Sequence, residues 1–550
     1  MSSPPLTETP KLPAPLAGRA GMALLAVFVV ASLLSLALAW TAGGATSGFG
    51  AYEDEPAHLV TGLMVRDYLV DAPGSNPMEF AKRYYVHYPK VAIGHWPPGF
   101  PAIVGGWVAL FGDSHLALLS LMSLLAGSTA TLLFAALRGL LGEAFGLTAA
   151  ALFVLVPRVQ AYTFSVMTEL PLALSCTLAV VGFGFWLDRP RRRYLVLFTA
   201  ASVVAIYTKG SALFLALLPP LSIALSGRWE RLRSRDLWIA GLAVGLLCAP
   251  WYLFTIKVSR TTWGGGGGPN WDYTARAIPV YFTGLVELTG YLGGLLVVVG
   301  ALAGRRVCRG LWAVWLGWIL CHLTGLLSIP TGEDARHLVA LTPAWIALSL
   351  FGARALGDGF GWKPGLILLP FLLAFAIVWE RPTKDYRGYE TAAEAILEDP
   401  GLDRSYLLVA SDSTGEGLFI GDIAIREPRP GHVVLRGSKF LGSSDWLGGG
   451  YEPRFESVDA LAAALEELPV GVVALDRATK AHHWFLHHEQ LSELFRSRPD
   501  RWTLMGAYDV WRAGVHHPGA LELYRQVGHE DRIPGEIDFE ALVGRDLPSF

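Results

Sequence analysis

Long apolar runs separated by short polar or arginine-rich turns fill the first two-thirds of the chain. They fall near 20–42, 116–137, 144–162, 168–187, 194–208, 210–226, 236–256, 279–303, 310–329, 338–353 and 364–380. A helix rises 1.5 Å per residue, so about 20 apolar residues cross a bilayer core, and 194–208 and 338–353 are short for that task. Turns bearing Arg138, Arg189 with Arg191–Arg193, Arg228 to Arg235, Arg305/Arg306/Arg309 and Arg354/Lys363 alternate with turns at 157–168, 209, 257–278 and 330–337 that are poorer in basic residues. Cationic turns stay cytoplasmic, which predicts eleven spans with the N-terminus inside. The apolar stretch 97–111 is too short to cross, and a crossing there would turn Arg189–Arg193 outward. It is expected to lie along the outer surface. Loop 43–115 and residues 381–550 then both lie outside.

The pattern changes after residue 380. Short apolar runs at Tyr406–Ser411, Leu418–Ile425, His432–Leu435, Val458–Leu465 and Val470–Leu475 alternate with helical patterns and predict a small α/β domain. Gly415-Glu416-Gly417 lacks the spacing of a dinucleotide fingerprint and reads as a tight strand-to-helix turn. The fold class expected is a polytopic α-helical membrane protein with about 11 transmembrane helices and a C-terminal extracytoplasmic α/β domain. The Pro-rich opening, residues 1–19, is expected to be disordered. The run that follows is too long for a signal-peptide core and reads as a signal anchor.

Composition agrees with a membrane protein: 550 residues, mean hydropathy +0.40, 52% hydrophobic and only 17% charged residues. The net charge of -3 hides a split. Residues 381–550 carry 18 Lys and Arg against 28 Asp and Glu, and the remainder carries 26 against 19. Neither part looks built for nucleic acid. The four cysteines all lie in or beside apolar stretches, so no disulfide framework staples the tail.

Chemistry-bearing residues gather at one face of the predicted bilayer. Glu53-Asp54-Glu55 follows the first span, and adjacent carboxylates raise one another's proton affinity. His58 stands four residues after Asp54, on the same face if a helix starts at Pro56. Thr168-Glu169 opens a span, Lys209 occupies a very short outer turn, and Arg336-His337 enters another span. Each has an ordinary alternative: a helix N-cap for Asp54, a snorkelling interfacial lysine for Lys209. Together they suit attack on a sugar carried by a polyprenyl phosphate. A carboxylate deprotonates an acceptor hydroxyl, and lysine and arginine neutralise the departing phosphate. Missing phosphate-cradling loops fit a reaction that needs no nucleotide.

At these residues the chain resembles the GT-C glycosyltransferases, and within them the protein O-mannosyltransferase and aminoarabinose transferase-like branch (glycosyltransferase families 39 and 83). The motifs are Asp54-Glu55, His95-Trp96-Pro97-Pro98-Gly99-Phe100-Pro101, Thr168-Glu169, Thr208-Lys209-Gly210, Pro250-Trp251-Tyr252, and Arg336-His337 with Pro343. The resemblance covers roughly residues 20–380. It implies a lipid-phosphate sugar donor, a hydroxyl acceptor, inversion, and a site at the periplasmic face of the cytoplasmic membrane. By position it makes Asp54 the base, Glu55 its partner and Glu169 a second-loop acid. Lys209 and Arg336 become phosphate contacts, with His58, His95 and His337 lining the substrate. Glu169 stands where the family usually has aspartate, and His337 where it has an aromatic.

Four expectations complete the sequence reading. Paired carboxylates facing a phosphate would suit a divalent cation, although nothing demands a cofactor. His482, His483, His487 and His488 in HHWFLHHEQ lack a completing ligand and are expected on a solvated helix. Gly264–Gly268 reads equally as a lid or a linker. The rival to an enzyme is a transporter or flippase for lipid-linked sugars, which would want ionisable residues at mid-membrane, where the predicted spans hold few.

Overall fold

The structure, a computed structural model, describes residues 18–94, 96–262, 269–330, 332–443, 450–468, 470–513 and 519–529. The opening 17 residues, His95 and the glycine run at 264–268 lie outside the described residues.

Every apolar run predicted to span is helical. In chain order, α1 is Arg19–Ala39, α2 Glu55–Asp71, α3 Pro77–His87, α4 Gly99–Phe111, α5 His115–Leu141, α6 Glu143–Leu155 and α7 Pro157–Thr163. Then come α8 (Glu169–Asp188), α9 (Arg192–Thr208), α10 (Leu218–Ser226), α11 (Arg235–Thr262), α12 (Trp271–Ala303), α13 (Arg309–Ser328), α14 (Thr342–Phe360) and α15 (Pro364–Val378). Among the described residues, 7 helices are long and apolar enough to cross a membrane, and α6 with α7 makes an eighth if that pair, bent by 61°, is one span. Pro157 opens α7 at this bend, where its missing N–H costs the helix nothing. The protein is an integral membrane protein. Leu25, Val30 and Leu33 on α1 and Leu242, Leu246 and Leu253 on α11 stay exposed, as side chains that face lipid do. The opposite stripe of α1, with Ser32 and Ser35, is buried, and small residues there let α5 approach closely.

Helix α4 has 13 residues, about 20 Å of rise, too little to cross. It buries Phe100, Val104 and Val108 and packs on α2.

The tail is α/β. Helix α16 (Tyr389–Leu397) precedes β1 (Tyr406–Ala410), α17 (Ser413–Arg426), β2 (Val433–Arg436) and α18 (Gly437–Phe440). After a short ladder of β3 (Gly442–Ser443) with β4 (Glu452–Pro453) come α19 (Val458–Glu467), β5 (Val470–Asp476) and α20 (Leu486–Ser497). The chain then makes β6 (Trp502–Val510) and β7 (Gly519–Gln526). The sheet order is β2-β1-β5-β7-β6, parallel among the first three strands and antiparallel thereafter. As expected, Gly415-Glu416-Gly417 lies where β1 turns into a helix, in the first turn of α17. The β6–β7 pair was not legible: its exposed positions interrupt the apolar runs.

The histidine cluster departs from expectation. His487 and His488 do lie on α20, but both are fully buried rather than solvated. Tyr451 bonds the His487 ring at 2.9 Å and Phe485 stacks on Tyr451, so this helix end is packed under the loop before α19.

Tail and membrane bundle are joined through loop 43–115. Lys384 N–H donates to the Ala42 carbonyl at 2.8 Å, and Gly48 N–H to that of Tyr386 at 2.6 Å. Gly43 adopts φ 99°, and a Cβ there would stand 2.2 Å from the Lys384 carbonyl oxygen, so glycine is required on both counts. Arg429 bonds Asp67 at 2.8 Å and Asp113 at 3.2 Å, and Tyr88 donates to Glu427 at 2.6 Å. Deepest is the ion pair of Lys384 Nζ with Glu55 Oε1 at 2.8 Å, with both side chains wholly shielded from water. Removing one partner of such a pair strands the other charge at a cost of about 3–5 kcal/mol. Lys384→Met should therefore lower the thermal midpoint steeply, and adding Glu55→Gln should recover most of it. An unchanged midpoint for the single variant, read by thermal unfolding in detergent, would show that the pair holds nothing.

Candidate active site

Asp54 stands at the N-cap position of α2, yet its side chain makes no capping bond. Its Oδ2 instead accepts from Arg336 Nη1 at 2.9 Å, a residue 282 positions away at the start of the 3-10 segment Ala335–Leu341. That pairing answers the N-cap alternative. Arg336 also reaches Asp334 at 3.3 Å and lies 6.0 Å from the centroid of the Tyr52 ring. Burial works to raise the Asp54 carboxyl, but the charges of Arg336, His58 and Lys209 outweigh it and hold the group below its ordinary range.

A second pair stands beside the first. Lys209, just past the end of α9, donates to Glu169 Oε1 at 2.6 Å. Glu169 is the first residue of α8 and is buried, while Lys209 keeps partial exposure. An interfacial snorkelling lysine would point its charge to water; this one is bound to a buried carboxylate. Tyr52 stacks on Tyr162 at 5.1 Å, and Arg158 pairs with Glu287.

His58 lies one turn into α2 and is buried against Trp96, with ring centroids 4.1 Å apart, and edge-on to Phe100 at 5.2 Å. Its Nδ1 is buried and finds no hydrogen-bond partner among the described residues. Burial pushes its pKa down to about 4, against the pull of Asp54 and Glu169, so the ring is neutral at physiological pH.

The structure thus brings together Asp54, His58, Glu169, Lys209 and Arg336. It does not place Glu55 with them. Glu55 accepts from Lys384, from Val166 N–H at 2.9 Å and from Ala51 N–H at 2.8 Å, which occupies both oxygens in the dry junction with the tail. The expected partnership with Asp54 is not among its hydrogen bonds, which run to Lys384, Val166 and Ala51. His337 is likewise inside the bundle wall at 6% exposure, its carbonyl accepting from His322 at 2.9 Å, rather than at an open surface. His95 lies outside the described residues.

Sequence reasoning missed Lys384, Tyr52 and Lys90. Lys90 is buried with its ammonium on the Ser413 carbonyl and hydroxyl at 2.9 and 3.1 Å, tying the outer loop to the start of α17. A lysine set directly before the apolar Val91-Ala92-Ile93 was the available signal. Among the described residues, no group of three or more His, Cys, Asp or Glu converges as a metal centre would. Both clustered carboxylates, Asp54 and Glu169, already carry a cationic side chain. The donor set of the described residues does not fit a resident divalent ion.

The sequence profile of the dolichyl-phosphate-mannose-protein mannosyltransferase family matches residues 95–254. Over that stretch the chain is similar to a family of membrane glycosyltransferases. Among solved structures, the apo oligosaccharyltransferase of Archaeoglobus fulgidus superposes with a TM-score of 0.51 at 14% identity, over 82% of this chain and 69% of that one. The same enzyme in complex with Zn and sulfate gives 0.52 at 13% identity over 82% and 68%. ArnT from Cupriavidus metallidurans bound to undecaprenyl phosphate gives 0.45 at 12% identity, over 94% of this chain and 100% of that one. No curated protein sequence matches the chain.

The neutral burial of His58 has a measurable consequence. Its folded pKa of about 4 lies below the ordinary 6.5, so the unfolded chain takes up a proton in that window that the folded chain refuses. This contribution is present above pH 6.5 and is lost as pH falls toward 4. Thermal midpoints of wild type and His58→Phe across pH 4–7 should diverge in slope, the variant being flatter; parallel curves would show that His58 is not buried neutral.

Proposed function

We propose that this glycosyltransferase moves one sugar, with inversion, from a polyprenyl-phosphate donor to a hydroxyl acceptor, and that Asp54 is the base. The acceptor hydroxyl of a protein, lipid or surface glycan gives its proton to Asp54 as its oxygen attacks the anomeric carbon. The bond from that carbon to the phosphate oxygen breaks on the opposite side, and the leaving phosphate carries the charge. Lys209 and Arg336 receive it. The observation that carries this reading is the pairing of two cations with two carboxylates at one face of the bundle, Arg336 with Asp54 and Lys209 with Glu169.

The resting pairs have a chemical logic. A buried ammonium or guanidinium awaiting an anion needs a counter-charge meanwhile. A donor phosphate competes for Arg336 and Lys209, and as Arg336 turns toward it Asp54 loses the charge that depresses its basicity. The base strengthens when donor is bound. The match to the mannosyltransferase family and the ends of α8 and α9 meeting at this face support the reading, whereas no observation favours a flippase. Placement in the cytoplasmic membrane, with the N-terminus inside and residues 381–550 outside, is part of the proposal and rests on the distribution of basic turns.

Transfer of labelled sugar from a panel of polyprenyl-phosphate donors by purified protein tests it. Asp54→Asn should lower kcat by about 10²–10⁴ while leaving the thermal midpoint near wild type. Lys209→Ala should weaken donor binding by roughly 10- to 100-fold, the loss expected of a charged hydrogen bond worth about 1.5–3 kcal/mol. Full transfer by Asp54→Asn would remove it as the base. The acid limb of kcat, which reports the donor-bound enzyme, should lie at higher pH than that of kcat/KM; coincident limbs would sink the switch in basicity.

A further inference from the structure

Helices α9 and α11 pack side by side, but along half their length they part to leave a groove of about 440 Å³. Leu195, Val196 and Val203 line it from α9, Ile239, Ala243 and Leu247 from α11, and Arg192 with Asp236 stands at one end. That end is far from the carboxylate face: Arg192 opens the 17-residue α9 and Lys209 follows its close, a rise of about 25 Å.

The groove does not continue to the active site. Tyr207 donates to the Leu247 carbonyl at 2.8 Å and Tyr252 to that of Ile206 at 3.1 Å, and these two bonds bridge α9 and α11 above its last lining residues. A donor tail descending from Lys209 is therefore stopped before it reaches the groove. The gap between the two helices is thus closed on the Lys209 side and open toward Arg192.

Length and charge identify the occupant. Arg192 to Val203 on α9 and Asp236 to Leu247 on α11 each rise about 16 Å, close to half of a hydrocarbon core of about 30 Å. The groove is one leaflet deep. Its end is lined by Arg192 and Asp236, and the chain flanking these two carries the exposed Arg191, Arg193, Arg233 and Arg235. Basic pockets between transmembrane helices bind anionic headgroups.

We propose that this groove is a lipid site, holding one acyl chain of an anionic phospholipid from the leaflet opposite the active site, with the headgroup phosphate on Arg192 and its arginine neighbours. A chain seated there fills the gap between α9 and α11. It thereby braces the helix whose far end presents Lys209.

Native mass spectrometry of the full chain, released from detergent after titration with phosphatidylglycerol or phosphatidylcholine, tests the site. Wild type should retain one phosphatidylglycerol in preference to phosphatidylcholine. Ala200→Trp, which fills the groove from an exposed position, should lose that adduct. Arg192→Gln should weaken it about fivefold, since a basic residue near an anionic headgroup is worth about 1 kcal/mol. Leu246→Trp, on the exposed side of α11, should keep it and so controls for a bulky substitution. Equal retention by wild type and Ala200→Trp, or equal retention of the two lipids by wild type, overturns the proposal. Should Ala200→Trp fail to fold, Arg192→Gln decides alone, and undiminished phosphatidylglycerol binding there overturns it as well.

Discussion

The buried pair between Glu55 and Lys384 fixes the geometry on which the site depends. It joins residues 329 positions apart, and both charges are out of water, so neither position tolerates the loss of the other. Because Glu55 begins α2, the pair also sets where that helix starts. Asp54, the residue before it, is thereby held where it pairs with Arg336. The same pair anchors the first residues of the tail against the end of the first membrane helix, so tail and active face share one foundation.

Around that anchor the interface is polar and closely fitted. Gly417 at the start of α17 faces Pro56 so tightly that a Cβ would sit 2.8 Å from the proline ring. Lys90 and Arg429 cross between loop and tail to partners that are themselves buried or half-buried. Buried polar groups of this kind cost much when mismatched, which makes docking of the tail specific rather than merely adhesive. The tail is thereby fixed beside the start of α2, where Asp54 stands.

The two ion pairs of this face follow from the same electrostatics. At the edge of a low-dielectric bundle an uncompensated cation is costly, so Lys209 and Arg336 are held by Glu169 and Asp54. His58, neutral and packed on Trp96, adds shape to the wall without adding charge.

Each long apolar run became a helix because span length and helix rise are local properties, readable along the chain. The residues collecting at one face, Asp54, Glu169, Lys209 and Arg336, were legible too, since basic turns orient spans and every second turn shares a face. Partnership was not legible. Glu55 beside Asp54 looks like a second catalytic acid, and only the arrival of Lys384 from beyond the last apolar run reveals it as structural. His487 and His488 look solvated because their neighbours in sequence are polar, while their burial comes from Tyr451 and Phe485 folding over them. Sequence by itself determined which segments form apolar helices and which residue types stand at their ends, because both follow from hydropathy and charge within a few tens of residues, whereas only 7 of the helices, or 8 with the bent pair, reach the length and apolarity of a span. Tertiary structure alone decided which carboxylate meets which cation, because those contacts close loops of tens to hundreds of residues and no local pattern encodes them.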